Sequence, residues 1–437
     1  MASEIQQLSD LIATSVSKLL QACKDNNTPF PDGNEPFTPQ SEAFRAHQAA
    51  AEATNIIAAA ALQLAERVMP PHMPLMNIVS GHFKNAALRA ALELNVTEIL
   101  REAGPQGLHV DDIGKICDVD GTKLGRLLRV LALHHCYREV TPNVFANTRI
   151  SSIMDTGKSV KELLEKPEDK HEGTPGLVAF LEHLIGDGAK FSAYLVENLR
   201  DPKTGRSDEP HHAAFNRAFN VQVPFWEFHE TPEQEYRRRR FAIGMHGIAQ
   251  MQPQDILDDV LDWKALPPDS LVVDVGGGIG TASVALSQSQ KHLKFTVQDF
   301  ASVCEESKAR WSIESPELIE SGQLTFSPHD FFTEQPIKNA SVFILKQILH
   351  DWADPYCVKI LKALRAAATP DTKLIVVDNI VAYACHDPTV ETDLGRGYVE
   401  APAPLLPNFG AANVVPYVVD IGVRAFYRTF ISFLCGR

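Results

Sequence analysis

Disulfide spacing, a basic excess and an uninterrupted apolar run are all missing from this chain of 437 residues. Its seven cysteines (Cys23, Cys117, Cys136, Cys304, Cys357, Cys385 and Cys435) are odd in number and scattered, without one Cys-x-x-Cys pair. That pattern disfavours both a disulfide framework and a zinc ribbon. Lys and Arg number 41 against 55 Asp and Glu, a net charge of −14. So acidic a surface repels phosphate backbones and anionic head groups, and neither nucleic acid nor membrane is expected as a partner. The one stretch apolar enough to test for a membrane span, 411–435, is interrupted by Asp420, Arg424 and Arg428, charges that are costly in lipid. The opening residues MASEIQQLSD carry an acid early and no basic flank before an apolar run, so no secretory signal is expected and the cytosol is the default location. What remains is a globular composition, 44% hydrophobic and 22% charged. At about 150 residues per domain, the length predicts two to three structural units.

Two helical patches, Ile5 to Ala22 and Glu42 to Val68, flank a Pro/Asn/Gly-rich break, so residues 1–70 read as a helical extension. Residues 71–156 change character. A helix from Phe83 to Leu94, a short one from Val110 to Cys117, a turn at 118–121, another helix from Thr122 to His134 and two strand-like stretches in CYREVTPNVFANT predict a winged helix. Lys123, Arg126 and Arg129 lie three apart on its second helix, a spacing that invites a DNA groove. On so acidic a chain a solvated face accounts for them better, with Leu124, Leu127, Leu128, Val130, Leu131 and Leu133 taking the rest of the helix into a core. Residues 157–253 read as linking helices that carry a pocket wall. Four consecutive arginines there, Arg237–Arg240, cannot share one helix face because successive residues turn by about 100°; a solvated, ion-paired helix start is expected. The aromatics Phe215, Phe219, Phe225, Trp226, Phe228 and Phe241 fit a helical core or one wall of an apolar pocket. Spacing alone favours core.

Residues 254–437 follow a different grammar. LVVDVGGGIGTASVALSQ, beginning at Leu271, is a β-branched run ended by glycines and followed by an apolar-periodic helix. Further strand-like segments are KFTVQDF, QLTFSPHDFF, ASVFILKQIL and DTKLIVVDNIV, most of them separated by helical stretches. The alternation predicts an α/β fold, a doubly wound Rossmann-like parallel sheet, behind the helical N-terminal part. Such sheets bind ligands at the carboxyl ends of their strands, where this chain places Asp274, the glycines 276–280, Asp299, Asp330, Lys346 with His350, and Asp378. A G-x-G-x-x-G fingerprint starting at Gly276 needs Gly or Ala where Thr281 stands. A dinucleotide would bring pyrophosphate charge to a turn that Asp274 immediately precedes, whereas a sulfonium with an α-ammonium group welcomes anions. Asp299, 21 residues past Gly278, suits the hydroxyls of a ribose, a position that fits NAD equally. Asp330 follows the third strand, within reach of an adenine amino group. Three carboxylates at consecutive strand ends favour S-adenosyl-L-methionine.

VDVGGGIG, the acidic end of FTVQDF, SPHDFF and above all LKQILHDWADPYCVKILKAL resemble the plant and fungal S-adenosylmethionine-dependent O-methyltransferases of the caffeic-acid type, from about Leu75 to Asp420. The glycine turn is common to many methyltransferases; Lys-x-x-x-His-Asp-Trp after the fourth strand is far more specific. The resemblance implies a winged helix that forms a homodimer and helps close the partner's substrate pocket. It makes Gly276, Asp299, Asp330, Phe331 and Lys346 cofactor contacts, to which strand-end position adds Asp274 and Gly278. It makes His350 the catalytic base and puts Phe241 and Met245 in the pocket wall, where Trp226 would also suit a flat apolar acceptor, the hydroxyl of a small phenolic or polyketide-like compound. Methyl transfer is an in-line displacement on an activated carbon, so the protein has to position the acceptor and remove its proton, and no metal is required. Asp378 stands where the family places an acid, usually Glu, that orients the histidine.

After PLLPNFGAANVVPYVVDIG the family continues into a Glu-Arg-Thr segment, whereas this chain reads VRAFYRTFISFLCGR. Fifteen residues from Val423 to Arg437 are too few for the helix and antiparallel edge pair expected after the fifth strand, so either a shifted or alternatively spliced reading of a longer gene or a trimmed sheet edge is expected. With it comes a second reading, a catalytically weak or inactive homologue that acts as a cofactor-binding or dimerisation partner.

Overall fold

A computed structural model describes residues 3–251, 256–388 and 398–426. They form two compact units: 3–190 with 381–388 and 398–418, and 191–251 with 256–380 and 419–426.

The first unit opens with α1 (Glu4–Asp25), capped by Ser3, and α2 (Gln48–Val68). Small side chains at Ala50, Ala53, Ala59 and Ala60 are buried with Leu8, Leu19 and Cys23. The returning segment adds Ala401 and Leu405 to this packing, and Gln63 Nε2 donates to the Pro404 carbonyl at 2.9 Å. Next come α3 (His72–Val79), α4 (Gly81–Glu93), α5 (Val96–Ala103), β1 (Leu108–His109), α6 (Val110–Cys117), α7 (Gly121–Ala132), β2 (Tyr137–Thr141) and β3 (Val144–Asn147). The three strands pair antiparallel in the order β1-β3-β2, which completes the expected winged helix.

Asp120 caps α7 by accepting the Lys123 N–H at 2.9 Å. Leu124, Leu128 and Leu131 enter a core with Ile113, Tyr137 and Phe145. Lys123 and Arg126 are exposed, and Arg129 is bound to Glu139 through two hydrogen bonds (2.9 and 2.6 Å), so these cations form the solvated face that their spacing on an acidic chain predicts. Leu133 departs from the expected core. It is 75% exposed, because two residues beyond Leu131 the helix has turned by about 200°. Ile113 is wholly buried, and Ile113→Val is expected to lower the unfolding free energy by about 1 kcal/mol in urea titration, with the m-value unchanged.

In the second unit α8 (Ala214–Phe219), α9 (Phe225–His229) and α10 (Glu235–Met251) precede the sheet. Phe215, Phe225 and Phe228 are buried together, with Trp226 and Phe241 packed against them, which is the core that the spacing predicts. Arg237–Arg240 lie in the first two turns of α10, where Arg238 pairs with Glu306 at 3.1 Å. Five parallel strands follow, β4 (Leu271–Val275), β5 (Lys294–Asp299), β6 (Leu324–Pro328), β7 (Val342–Lys346) and β8 (Lys373–Val377), in the order β6-β5-β4-β7-β8. The helices α11 (Thr281–Ser289), α12 (Ala301–Glu314) and α13 (Asp354–Ala367) connect them. Near-continuous apolar runs in β4 and β7 suit a parallel sheet covered on both faces. The order reverses at β4, flanked by β5 and β7, and this switch point gathers the carboxyl ends of three strands.

β8 is one edge strand of the described sheet, with Leu374 and Val376 exposed. Among the described residues no strand follows it. Helix α14 (Val414–Phe426) contributes Val419 and Val423 to the aromatic core, and the tail at 427–437 lies outside the described residues.

Candidate active site

The chain leaves β4 through a turn that only glycine fits. Gly276 has φ +70°, and a Cβ there would lie 2.6 Å from Ile348 Cδ1; a Cβ on Gly277 would lie 2.6 Å from the Asp274 carboxyl carbon. Gly278 (φ +57°) faces open space, and its N–H donates to Asp299 Oδ2 at 2.8 Å, while Asp299 Oδ1 accepts the Phe300 N–H at 2.8 Å. Asp274, 2% exposed, is turned beneath the turn and accepts the Ser283 hydroxyl at 2.7 Å. Burial pushes its carboxyl up to about 6, against the pull of Ser283 and Lys346, and burial likewise raises Asp299. Two acids whose ionisation is disfavoured, beside open space at a helix-opening turn, fit a cationic, hydroxyl-bearing ligand that would restore their charge.

Asp330 follows β6 on the surface and accepts the Phe332 N–H at 2.9 Å. The Phe331 ring borders the glycine turn, 3.4 Å from where a Gly276 Cβ would sit, and meets Trp352 edge-on at 5.8 Å. Lys346 ends β7; burial lowers its pKa, while Asp274 and Asp378 pull it back up.

Past β7, Gln347 adopts φ +58° and its N–H bonds the Val377 carbonyl at 2.8 Å, after which a single 3₁₀ turn (Leu349–Asp351) presents His350. Its Nδ1 lies 3.4 Å from Asp378 Oδ1 and its Nε2 lies 3.4 Å from Asp351 Oδ1, with the three side chains 11%, 4% and 15% exposed. Both separations exceed a good hydrogen bond, so these are charge-range contacts. Asp378 is raised to about 6 by burial, opposed by the N–H groups of His350 and Leu349 and by Lys346. Asp351 is raised well above the usual carboxylate range by burial and then by Asp378. Burial pushes His350 down to about 4. Burial disfavours every charge in the cluster, raising both acids and keeping the imidazole uncharged.

The sign of the pH dependence follows. A depressed histidine adds stability that is complete above about 6.5 and is lost as pH falls through about 4. The raised Asp274 and Asp378 add stability that is present below about 3.8 and lost as pH rises through about 6. The two trends oppose each other, so a rate profile is the sharper readout. The acid side of kcat/KM is expected to show a shallow decline near 6, where Asp378 gains its proton, and the full loss nearer 4, where His350 does. A limb at 6.5 or above would show an ordinary, solvated imidazole instead.

The aromatic wall is a separate grouping. Trp226 and Phe241 meet edge-on at 5.5 Å, and Met245 follows Phe241 by one turn of α10. Sequence reasoning passed over Asp351, although it directly follows His350, because its importance depends on which way a 3₁₀ turn directs two neighbouring side chains. It also passed over Glu230, which accepts the Ser302 hydroxyl at 3.0 Å and whose charge reaches Asp299. Nothing in the local sequence marks that carboxylate.

A switch-point glycine turn, acids at strand ends and a helical winged-helix unit define a Rossmann-like methyltransferase. A model of the O-methyltransferase domain matches residues 194–395, and one of the O-methyltransferase dimerisation domain matches 76–157. The chain is 43% identical to 4-O-methyltransferase 1 of Phanerochaete chrysosporium, over 98% of its own length and 91% of that protein's. Among solved structures, mitomycin 7-O-methyltransferase aligns with TM-score 0.60 at 21% identity, covering 82% of this chain and 86% of that one. LepI in complex with S-adenosylmethionine aligns with TM-score 0.63 at 17% identity, covering 96% and 89%. The chain belongs to the O-methyltransferase family, and its cofactor is S-adenosyl-L-methionine.

Proposed function

We propose that the chain methylates a phenolic hydroxyl of a small aromatic secondary metabolite, with His350 as general base. The observation that carries this reading is an imidazole kept neutral between two buried carboxyls, at the end of the strand beside the glycine turn. When bound, S-adenosylmethionine supplies a methyl carbon already activated as a sulfonium. The protein's share is to hold it and to prepare the oxygen. Gly276 and Gly278 leave room at the turn, where Asp299 would take the ribose hydroxyls, Asp330 and Phe331 would hold the adenine, and Lys346 would add a further contact. Asp274 supports the turn from below and adds negative charge.

An imidazole at about 4 is a weak base for a phenol near 10, so the proton transfer needs help. Asp378 supplies it. Titrating near 6, it is mostly ionised at neutral pH, and its charge, 3.4 Å away, stabilises the imidazolium that forms when His350 takes the phenol's proton. Trp226, Phe241 and Met245 offer a flat apolar wall to the acceptor ring.

A homodimer is proposed from α3, none of whose residues is buried and which exposes Leu75, Met76, Ile78 and Val79, in the segment where the dimerisation match begins. No helix among the described residues is long and apolar enough to cross a membrane, and six described cysteines are free thiols, in keeping with a cytosolic setting.

The test is a panel of monocyclic and fused-ring phenols, anilines and thiols assayed with methyl-labelled cofactor. Label is expected on phenols alone. Calorimetric binding of S-adenosylhomocysteine without turnover of any acceptor would favour the second reading, a cofactor-binding homologue.

A further inference from the structure

Helix α10 packs Phe241 against the aromatic core, but the residues it fully buries are Gly244 and Gly247 rather than a stripe of large apolar side chains. Polar contacts also join its segment to α12. Ser302 donates its hydroxyl to Glu230 at 3.0 Å, Arg238 pairs with Glu306 at 3.1 Å, and Arg310 meets His246 Nε2 at 3.1 Å. Ser302, Glu306 and Arg310 lie at i, i+4 and i+8 and so share one face of α12, while Arg238 and His246 lie eight apart on α10. The rises between rungs, about 6 Å on α12 and about 12 Å on α10, are bridged by long arginine side chains. Burial and the Arg310 charge keep His246 neutral and able to accept. α12 begins directly after Asp299 and Phe300, and Asp299 holds the Phe300 N–H.

We propose that Glu230, Arg238 and His246 are positioning residues that couple the acceptor wall to the cofactor site through α12, so that occupation of Asp299 steadies α10. The proposal rests on the cofactor reading of Asp299 given above. Hydrated rungs of this kind are individually weak, which suits a wall that must release product, and the coupling they carry is reciprocal.

The test is hydrogen–deuterium exchange of the full chain with and without saturating S-adenosylhomocysteine, with binding followed by calorimetry. In the wild type the ligand is expected to slow exchange across 235–251 by about fivefold or more. Glu306→Ala is expected to bind it within about twofold of wild type and to lose most of that protection. The exchanged pair Arg238→Glu with Glu306→Arg is expected to restore it, which a generally loosened fold would not do. Exchange across 235–251 that ignores the ligand in the wild type, or an unchanged response in Glu306→Ala, overturns the proposal. Absence of ligand binding to the wild type overturns the cofactor reading of Asp299 itself.

Discussion

His350→Ala is expected to slow methyl transfer by about 10²–10⁴-fold while the affinity for S-adenosylhomocysteine stays within about twofold of wild type. The loss should fall on kcat, because the imidazole acts on a proton that moves as the new bond forms, and KM for the acceptor should change little. The site makes this separation possible, since no cofactor-side hydrogen bond found in the structure involves His350: Gly278, Asp299 and Phe300 satisfy one another without it. His350→Gln keeps a polar side chain of similar reach and serves as control. It should be as slow as the alanine variant, because an amide cannot accept and hold the proton. A histidine that only packs the 3₁₀ turn would give a different pattern, with Gln tolerated and Ala unstable. Asp378→Asn is the partner experiment. It leaves the shape, removes the charge that meets the imidazolium, and should lower kcat by less than either histidine variant.

Asp299→Ala is expected to weaken cofactor binding by about 10–100-fold, measured by calorimetry, and to lower thermal stability even without ligand. Two causes act together. The carboxylate proposed for the ribose hydroxyls is lost, and the N–H groups of Gly278 and Phe300 lose their acceptor at 2.8 Å, which costs about 1–3 kcal/mol for each donor that water cannot reach. Asp299→Asn separates them, since its side-chain oxygen can keep one N–H while the charge is gone. Stability should recover in part and affinity should not. Wild-type affinity in Asp299→Ala would remove this residue from the site and leave the glycine turn without its polar partner.

The parts of the fold that were legible in the sequence are those written locally. The five parallel strands lie at the segments read for them, most plainly β4 and β7, because a strand buried on both faces must be apolar almost throughout and its end is marked by glycine or a polar residue. The winged helix was legible for a similar reason, with a turn at 118–121 and an apolar stripe at helical spacing, although the Asp120 cap was not read. Leu133 shows the limit: counting leucines places it in the core, whereas the helix angle places it outside. Among site residues, those at strand ends could be listed from topology, and His350 and Asp378 do meet. Asp351 and Glu230 could not be assigned, since each depends on the direction of one turn or on a contact between distant segments. The packing of Ala401 and Leu405 with α1 and α2 is long-range in the same way, and a proline-rich stretch without periodicity gives no hint of it.

This chain is proposed to move a methyl group to a phenolic oxygen with His350 taking the proton. A single-turnover experiment tests it most directly: protein loaded with carbon-13 methyl-labelled S-adenosylmethionine is mixed with a phenol that turns over in the acceptor panel, and the label is followed by NMR. The wild type is expected to move the label from sulfonium to an aryl methoxy carbon, and His350→Gln to bind the cofactor and leave the label on sulfur. Equal transfer by His350→Gln, or label retained on sulfur by the wild type with cofactor and phenol both bound, would contradict the account.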